Sequence, residues 1–395
     1  MSSLTRATRA AQPAVVPPWR DVRVLRIVGQ VVVLGVVLFV GYLLWNNLTA
    51  NMARARLGIS LDFLRATAGF DISQTVVPYS ARDSYGHAFL VGLANTLMVS
   101  AVGIVLATIL GVITGVARLS TNWLVSKLAA GYVELMRNTP LLVQLVLLYA
   151  VLLQLPVVAN SIALPGPVFL NQRGLFLPRP VTEPTFGLWL GVVLAGIAVA
   201  VLAHFISARR VDAGLPTRGI GRLGLLAMVV IAVVGWFALN PVAFDVPAQQ
   251  RFNFTGGVVL TPPFAALLFG LVIYTAAFIG EVVRGGIQAV RRGQIEAAYS
   301  IGLTPMQSLR LIVFPQALRV IVPPLTSQYL NLTKNSSLAI AVGFADVFAV
   351  SRTMANQTGQ PVPVILLVMA TYLTMSLVTS LLMNLYNRRV QVLER

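Results

Sequence analysis

The chain has 395 residues, 57% of them hydrophobic and only 10% charged, with a mean hydropathy of +0.82. Soluble domains carry about 25% charged residues, so this composition excludes a soluble globular class and specifies a membrane protein. The formal net charge of +17 belongs to short basic loops between apolar spans, since no basic patch is interleaved with aromatics as a nucleic-acid surface would be.

The pattern predicts an all-α polytopic membrane protein of about eight transmembrane helices. Residues 1–26 form a cytoplasmic N-terminal segment, and 27–46, "IVGQVVVLGVVLFVGYLLWN", the first span. A signal peptide's apolar region runs only about 7–15 residues, so this one is an uncleaved anchor. A periplasmic loop, 47–85, precedes the second span at 86–116, where Gly111 and Gly115 form a GxxxG pair suited to close helix approach. The third span follows "YVELMRNTPLLVQLVLLYAVLLQLP" and closes the segment 86–156. Residues 157–186, rich in Pro, Gly and Asn, are expected to be an outside loop. Two more spans, 187–205 and 223–239, bracket a basic link with Arg209, Arg210, Arg218 and Arg222, inside a segment 157–261. The last three spans, 262–285, 319–345 and 363–386, lie within 262–390, and 391–395 is the cytoplasmic C-terminus.

Charge sets the orientation. With both termini inside, the cytoplasmic segments gather Arg6, Arg9, Arg20, the basic link, Arg291, Arg292, Arg310, Arg388 and Arg389. The outside loops are longer and carry fewer basic residues, which is the positive-inside asymmetry. An odd number of spans would place the basic tail "NRRVQVLER" outside.

The segment 291–318, "RRGQIEAAYSIGLTPMQSLRLIVFPQAL", is too polar to cross a bilayer. Ile295, Ala298, Tyr299 and Gly302 follow helical spacing, with Gly302 as a C-terminal cap able to take positive φ. Thr304 then serves as N-cap, Pro305 as first helical residue and Gln307 as capping-box partner. Met306, Leu309, Ile312 and Val313 give a second short helix an apolar face, and Pro315 is expected to end or kink it. By residues alone this helix–turn–helix serves equally as a protein-docking knob or as an interfacial helix lying on lipid.

Polar groups inside spans are costly and usually face a bundle interior or a water path. Lys334 lies roughly 22 Å into the seventh span, followed by Asn335, Ser336 and Ser337, with Pro323 and Pro324 expected to break the helix upstream. An ammonium with hydroxyls and amides could take a substrate carboxylate; a cap for broken backbone is the alternative. Arg137 and Gln144 flank Pro140, and Glu281 can pair with Arg284 at i, i+3. Asn95 and Thr96 are read as hydrogen-bonding between helices as readily as touching solute. There is no cysteine, and His87 and His204 lie far apart, so no metal site is expected. The only lysines, Lys127 and Lys334, do not follow glycine, so no Walker A loop exists.

"EAAYSIGLTPMQSLRLIVFP" resembles the EAA loop of bacterial ABC-importer membrane subunits, with Glu296, Ala297, Ala298 and Gly302 at the motif spacing. "GLANTLMVS", "ELMRNTPLLVQL", "EVVRGGIQAVRRGQIEAA" and "LTKNSSLA" are similar to the polar amino-acid permeases, and the long form most resembles the general L-amino-acid permease subunits. The resemblance spans roughly residues 86–390. It implies a five-helix type I importer core plus one N-terminal and two inserted helices, in the bacterial inner membrane. It implies L-amino-acid translocation by alternating access, with Glu296, Ala297, Ala298, Gly302, Pro305 and Pro315 in a loop coupled to a cytoplasmic ABC ATPase dimer. It further implies a second, homologous permease subunit and a periplasmic amino-acid-binding protein. ATP and Mg would sit on the ATPase; this chain would hold no cofactor and catalyse no bond change. Lys334, Asn335, Ser336, Ser337, Arg137, Gln144 and Glu281 are the substrate-path candidates. The alternative is a secondary transporter driven by an ion gradient, a class that often shows inverted repeats and intramembrane acids.

Overall fold

A computed structural model describes residues 22–54, 60–214 and 219–390. Among these residues twelve α-helices follow in chain order. They are α1 (Val22–Arg54), α2 (Tyr85–Ala117), α3 (Trp123–Asn138), α4 (Leu141–Leu153), α5 (Phe186–Asp212) and α6 (Ile220–Leu239). Then come α7 (Pro262–Gln288), α8 (Arg292–Ser300), α9 (Pro305–Ser308), α10 (Phe314–Asn335), α11 (Val347–Thr358) and α12 (Pro361–Val390). Among the described residues, seven helices are long and apolar enough to cross a bilayer, and eight if the bent pair α3–α4 counts as one span.

α7 is the axis of the bundle: 67% of its apolar window is buried, against 33% for α2 and 6% for α12. It packs on α2, α4 and α10. α2 and α7 run in the same direction, with Gly103 level with Leu268 and Gly111 with Ile279. Small residues permit this approach. A Cβ at Gly111 would lie 2.5 Å from Ile279 Cγ2, and one at Gly115 would lie 2.7 Å from the Gly280 carbonyl oxygen. The GxxxG pair therefore sets the interhelical distance, as its spacing predicts.

The inserted pair α5–α6 packs chiefly on itself, Gly224 approaching Ala203 and Trp189 Nε1 donating to the Ala232 carbonyl at 3.1 Å. Most of both helices remains exposed, and so does α1, whose apolar window has no buried residue. These are surfaces for lipid or another chain.

Four expectations require correction. The third span is not one helix: α3 and α4 meet at 106° across Thr139 and Pro140. Proline lacks the N–H that would continue the ladder, and disfavours helix in the residue before it. The segments expected to be irregular outside loops carry short strands: β1 (Ile162–Leu164), β2 (Val168–Asn171), β3 (Gly174–Leu177), β4 (Arg179–Thr182), β5 (Val242–Asp245), β6 (Ala248–Gln249), β7 (Phe254–Thr255) and β8 (Val258–Leu260). One antiparallel sheet has the order β1-β2-β3-β8, while β4 pairs with β5 across the whole inserted helix pair. Strands of two to four residues show too little alternation to be read locally, and two of their five pairings are long-range. Phe254 lies 4.6 Å from Phe176 and 4.9 Å from Phe169, giving the module its own small core.

Pro323 and Pro324 do not break their helix; α10 runs through both. Nor does Pro315 end the second loop helix. A π-helical turn, Leu309–Val313, joins α9 to α10, with Pro315 in the first turn of α10. A π turn leaves room for an imino residue that a regular turn would clash with.

Gly115→Val is expected to lower the detergent melting temperature measurably, because overpacking against backbone costs about 1–3 kcal/mol. Gly131→Ala in α3, where a Cβ meets nothing within 4 Å, should be neutral or stabilising by about 0.5–1 kcal/mol. Equal melting temperatures for Gly115→Val and wild type would contradict the tight α2–α7 contact.

Candidate functional site

Three places concentrate chemistry. The first is the turn between α8 and α9. Gly302 takes φ +83°, its N–H bonds the Tyr299 carbonyl at 2.9 Å, and the Leu303 N–H bonds the Ala298 carbonyl at 3.1 Å. That is a Schellman ending, possible here because glycine has no Cβ to oppose the left-handed conformation. Thr304 follows at once as N-cap: its hydroxyl accepts from Gln307 N, and Gln307 Oε1 accepts from Thr304 N at 2.9 Å. Both expected caps are present. Ala298 is buried, while Glu296 and Ala297 are exposed. Ile301 is 75% and Met306 71% exposed, so the corner projects two apolar side chains away from the bundle. Gln316 Nε2 donates to Gln294 Oε1 at 3.4 Å, tying α8 to the start of α10.

The second is a charge cluster at the C-terminal ends of α2, α3 and α7. Glu281 bonds Arg284, as its i, i+3 spacing predicts, and also Arg118, with Arg137 at 4.0 Å. Sequence reasoning missed Arg118, because it reaches Glu281 only through the parallel contact of α2 with α7. The Arg137 guanidinium also lies over the Phe278 ring at 5.5 Å. Gln144 is occupied with the α3–α4 break, donating to Thr139 Oγ1 at 2.6 Å and to the Met136 carbonyl at 3.1 Å.

The third is the C-terminal end of α10. At Ser336 the helix tightens into a 3-10 segment, Ser336–Val342, which stops at Gly343 with φ +77°. Ser336 Oγ donates to the Thr333 carbonyl and Ser337 Oγ to the Lys334 carbonyl, each at 2.8 Å. Both serines thus satisfy the backbone where the ladder changes. Lys334 is exposed and makes no ion pair among the described residues. Because Leu332 packs on Gly103, near the middle of α2, Lys334 lies near mid-depth of the bundle. Arg137 and Glu281 lie together at the C-terminal end of α7, so the substrate-path candidates form two groups at different depths.

Above Lys334 the chain meets a buried junction. Asn95 in α2 is fully buried; its Nδ2 donates to the carbonyls of Gln74 and Ala345, both at 2.8 Å, and its Oδ1 accepts from Val76 N at 3.2 Å. Thr96 Oγ1 accepts from Val347 N at 2.9 Å. Asp346 caps α11 through Ala349 N at 2.8 Å and accepts from the Tyr372 hydroxyl at 3.2 Å. Asn95 and Thr96 therefore bond between elements rather than pointing at solute. The neighbouring loop is held further by the Tyr79 hydroxyl, which donates to the Phe70 carbonyl at 2.9 Å. Burial and then Asp83 and Asp71 push that phenol above its ordinary value, so it stays a donor.

Asn95→Asp keeps shape but exchanges two donors for acceptors facing carbonyls. Each buried group left unpaired costs about 1–3 kcal/mol. The expected result is a drop in detergent melting temperature at least as large as that of Asn95→Leu. An Asn95→Asp protein melting like wild type would show that the junction does not depend on this amide.

Residues 107–392 match the family model described as binding-protein-dependent transport system inner membrane component. The chain is 43% identical over 371 residues to the general L-amino acid transport system permease protein AapQ of Rhizobium johnstonii, covering 92% of each chain. It is 44% identical over 366 residues to the putative amino-acid ABC transporter permease protein YhdX of Escherichia coli, covering 92% of this chain and 93% of that one. It is 41% identical over 412 residues to the glutamate/glutamine/aspartate/asparagine transport system permease protein BztB of Rhodobacter capsulatus, covering 95% and 96%. With seven or eight apolar spans and similarity along nearly its whole length, this chain belongs to the family of binding-protein-dependent transport system inner membrane components, the permease subunits of ABC importers.

Proposed function

We propose that this chain is the translocation subunit of an importer that carries L-amino acids across the bacterial inner membrane by alternating access. The observation that carries the reading is similarity over more than nine-tenths of the chain to three permeases, each named for amino-acid transport. The energy comes from a separate cytoplasmic ABC ATPase dimer, which holds ATP and Mg. The corner at Gly302 is its docking knob, with Glu296, Ala297 and Pro305 on the exposed surface, Ala298 buried beneath and Pro315 seating the loop on α10. Exposure of Ile301 and Met306 supports this role, because apolar groups at a tight corner fit a groove better than a flat bilayer surface. A second permease subunit, homologous to this one, completes the pathway, and a periplasmic amino-acid-binding protein delivers substrate. Both termini are cytoplasmic, in keeping with the positive-inside distribution.

Lys334 is the solute contact at mid-depth, with Asn335, Ser336 and Ser337 shaping the backbone around it. Arg137, Gln144 and Glu281 line the inner end.

Reconstituted vesicles holding the complete complex test this reading. Uptake should require ATP and survive a protonophore; uptake that collapses with the ion gradient and ignores ATP would contradict it. In the same vesicles Gly302→Val, strained at positive φ by about 1–2 kcal/mol, should lose uptake and substrate-stimulated ATP hydrolysis together. Lys334→Met should lose uptake while melting as wild type does; normal uptake would remove Lys334 from the path.

A further inference from the structure

We propose that an outer cleft between the 70–73 segment and α11 receives the free amino acid by its zwitterion, Arg352 taking the α-carboxylate and Asp71 the α-ammonium. This rests on the amino-acid reading above and adds a site outside the spans' own polar groups. The cleft has a volume of about 430 Å³, within the roughly 300–1,000 Å³ of small-molecule sites. Asp71 and Ser73 stand on the loop wall, and Arg352, Thr353 and Asn356 on the α11 wall. Among the described residues, neither Asp71 nor Arg352 forms an ion pair, with each other or with any other group. Opposite charges held on facing walls and left unpaired match a ligand that carries both charges.

The chemistry suits that ligand. A guanidinium can bind a carboxylate through two parallel hydrogen bonds, and charge-assisted bonds are about twice as strong as neutral ones. The hydroxyl and amide of Thr353 and Asn356 supply further bonds, while Phe70 and Phe344 give an apolar side for the variable group. A site that reads the zwitterion reads what all L-amino acids share, so it discriminates weakly among their side chains.

Position supports the assignment independently. Gly343 and Phe344 form part of the cleft, and they end the 3-10 segment that begins beside Lys334. The cleft thus opens onto the outer end of the chain segment carrying the mid-depth lysine. Its two walls are held together by one side chain, because Asn95 bonds Gln74, next to the loop wall, and Ala345, within the cleft. Such preorganisation lowers the ordering cost of binding.

The chain has no cysteine, so a single Ser73→Cys, or Ala349→Cys should that variant fail to fold, puts one reporter thiol of this chain on the cleft lining. The complete complex without binding protein is labelled by a charged thiol reagent, with and without a non-hydrolysable ATP analogue. The probe is a millimolar mixture of L-glutamate, L-glutamine, L-alanine and L-arginine. The mixture should slow labelling severalfold in at least one nucleotide state, propionate or ethylamine should not, and Arg352→Gln or Asp71→Asn should each abolish the protection. Labelling that the mixture does not slow in either state, or equal protection by propionate, would overturn the proposal. ATP-driven uptake of the same mixture by complex holding the unsubstituted chain separates the two readings: uptake without protection sinks only the cleft, whereas absence of ATP-driven uptake sinks the amino-acid importer.

Discussion

The junction of α2 with the 74–76 loop and the start of α11 depends on the carboxamide of Asn95. It is fully buried, and all three of its hydrogen bonds go to backbone outside its own helix. A buried amide in an apolar setting is costly unless every polar atom is paired. Here pairing requires the 74–76 loop and the Ala345 turn to be in place at once, so neither can settle without the other. Thr96 and Asp346 extend the same constraint to α11 and α12.

That junction lies at one end of a long helical run. From Pro305, through the π turn, α10 and the 3-10 segment, the chain stays helical to Val342, roughly 55 Å at 1.5 Å per residue. At its other end sits the Gly302 corner, closed by two back-to-back caps that leave its backbone well satisfied. A force applied to the corner acts on a continuous rod, and the rod ends where Asn95 and Asp346 gather the outer elements. The departures from α geometry lie at the two ends of α10, next to the loop and next to the junction, and not at Pro323 or Pro324. α7 is the axis on which α10 packs, held to α2 by glycine contact and near its C-terminal end by Glu281 with its arginines.

Local rules made much of this legible. Gly302, Thr304, Pro305 and Gln307 were readable because caps are written in four or five consecutive residues. The spans were readable because lipid demands long apolar runs. Features built from distant residues were not. Arg118 meets Glu281 only when α2 lies parallel to α7, Asn95 meets Ala345 across most of the chain, and β3 meets β8 across the inserted helices. The prolines misled in a different way. Pro140 breaks its helix, whereas Pro323 and Pro324 do not, because the neighbours of α10 bury Ile321, Val322 and Leu325 and hold the helix through the missing bonds.

Photo-crosslinking from a reactive residue at Ile301, in membranes holding the complete complex, tests the docking role of the corner most directly. A docked knob predicts an adduct with the ATPase polypeptide whose yield changes when ATP is trapped. Adducts with lipid alone, unaffected by nucleotide, would contradict it and return the segment to a helix lying on the bilayer.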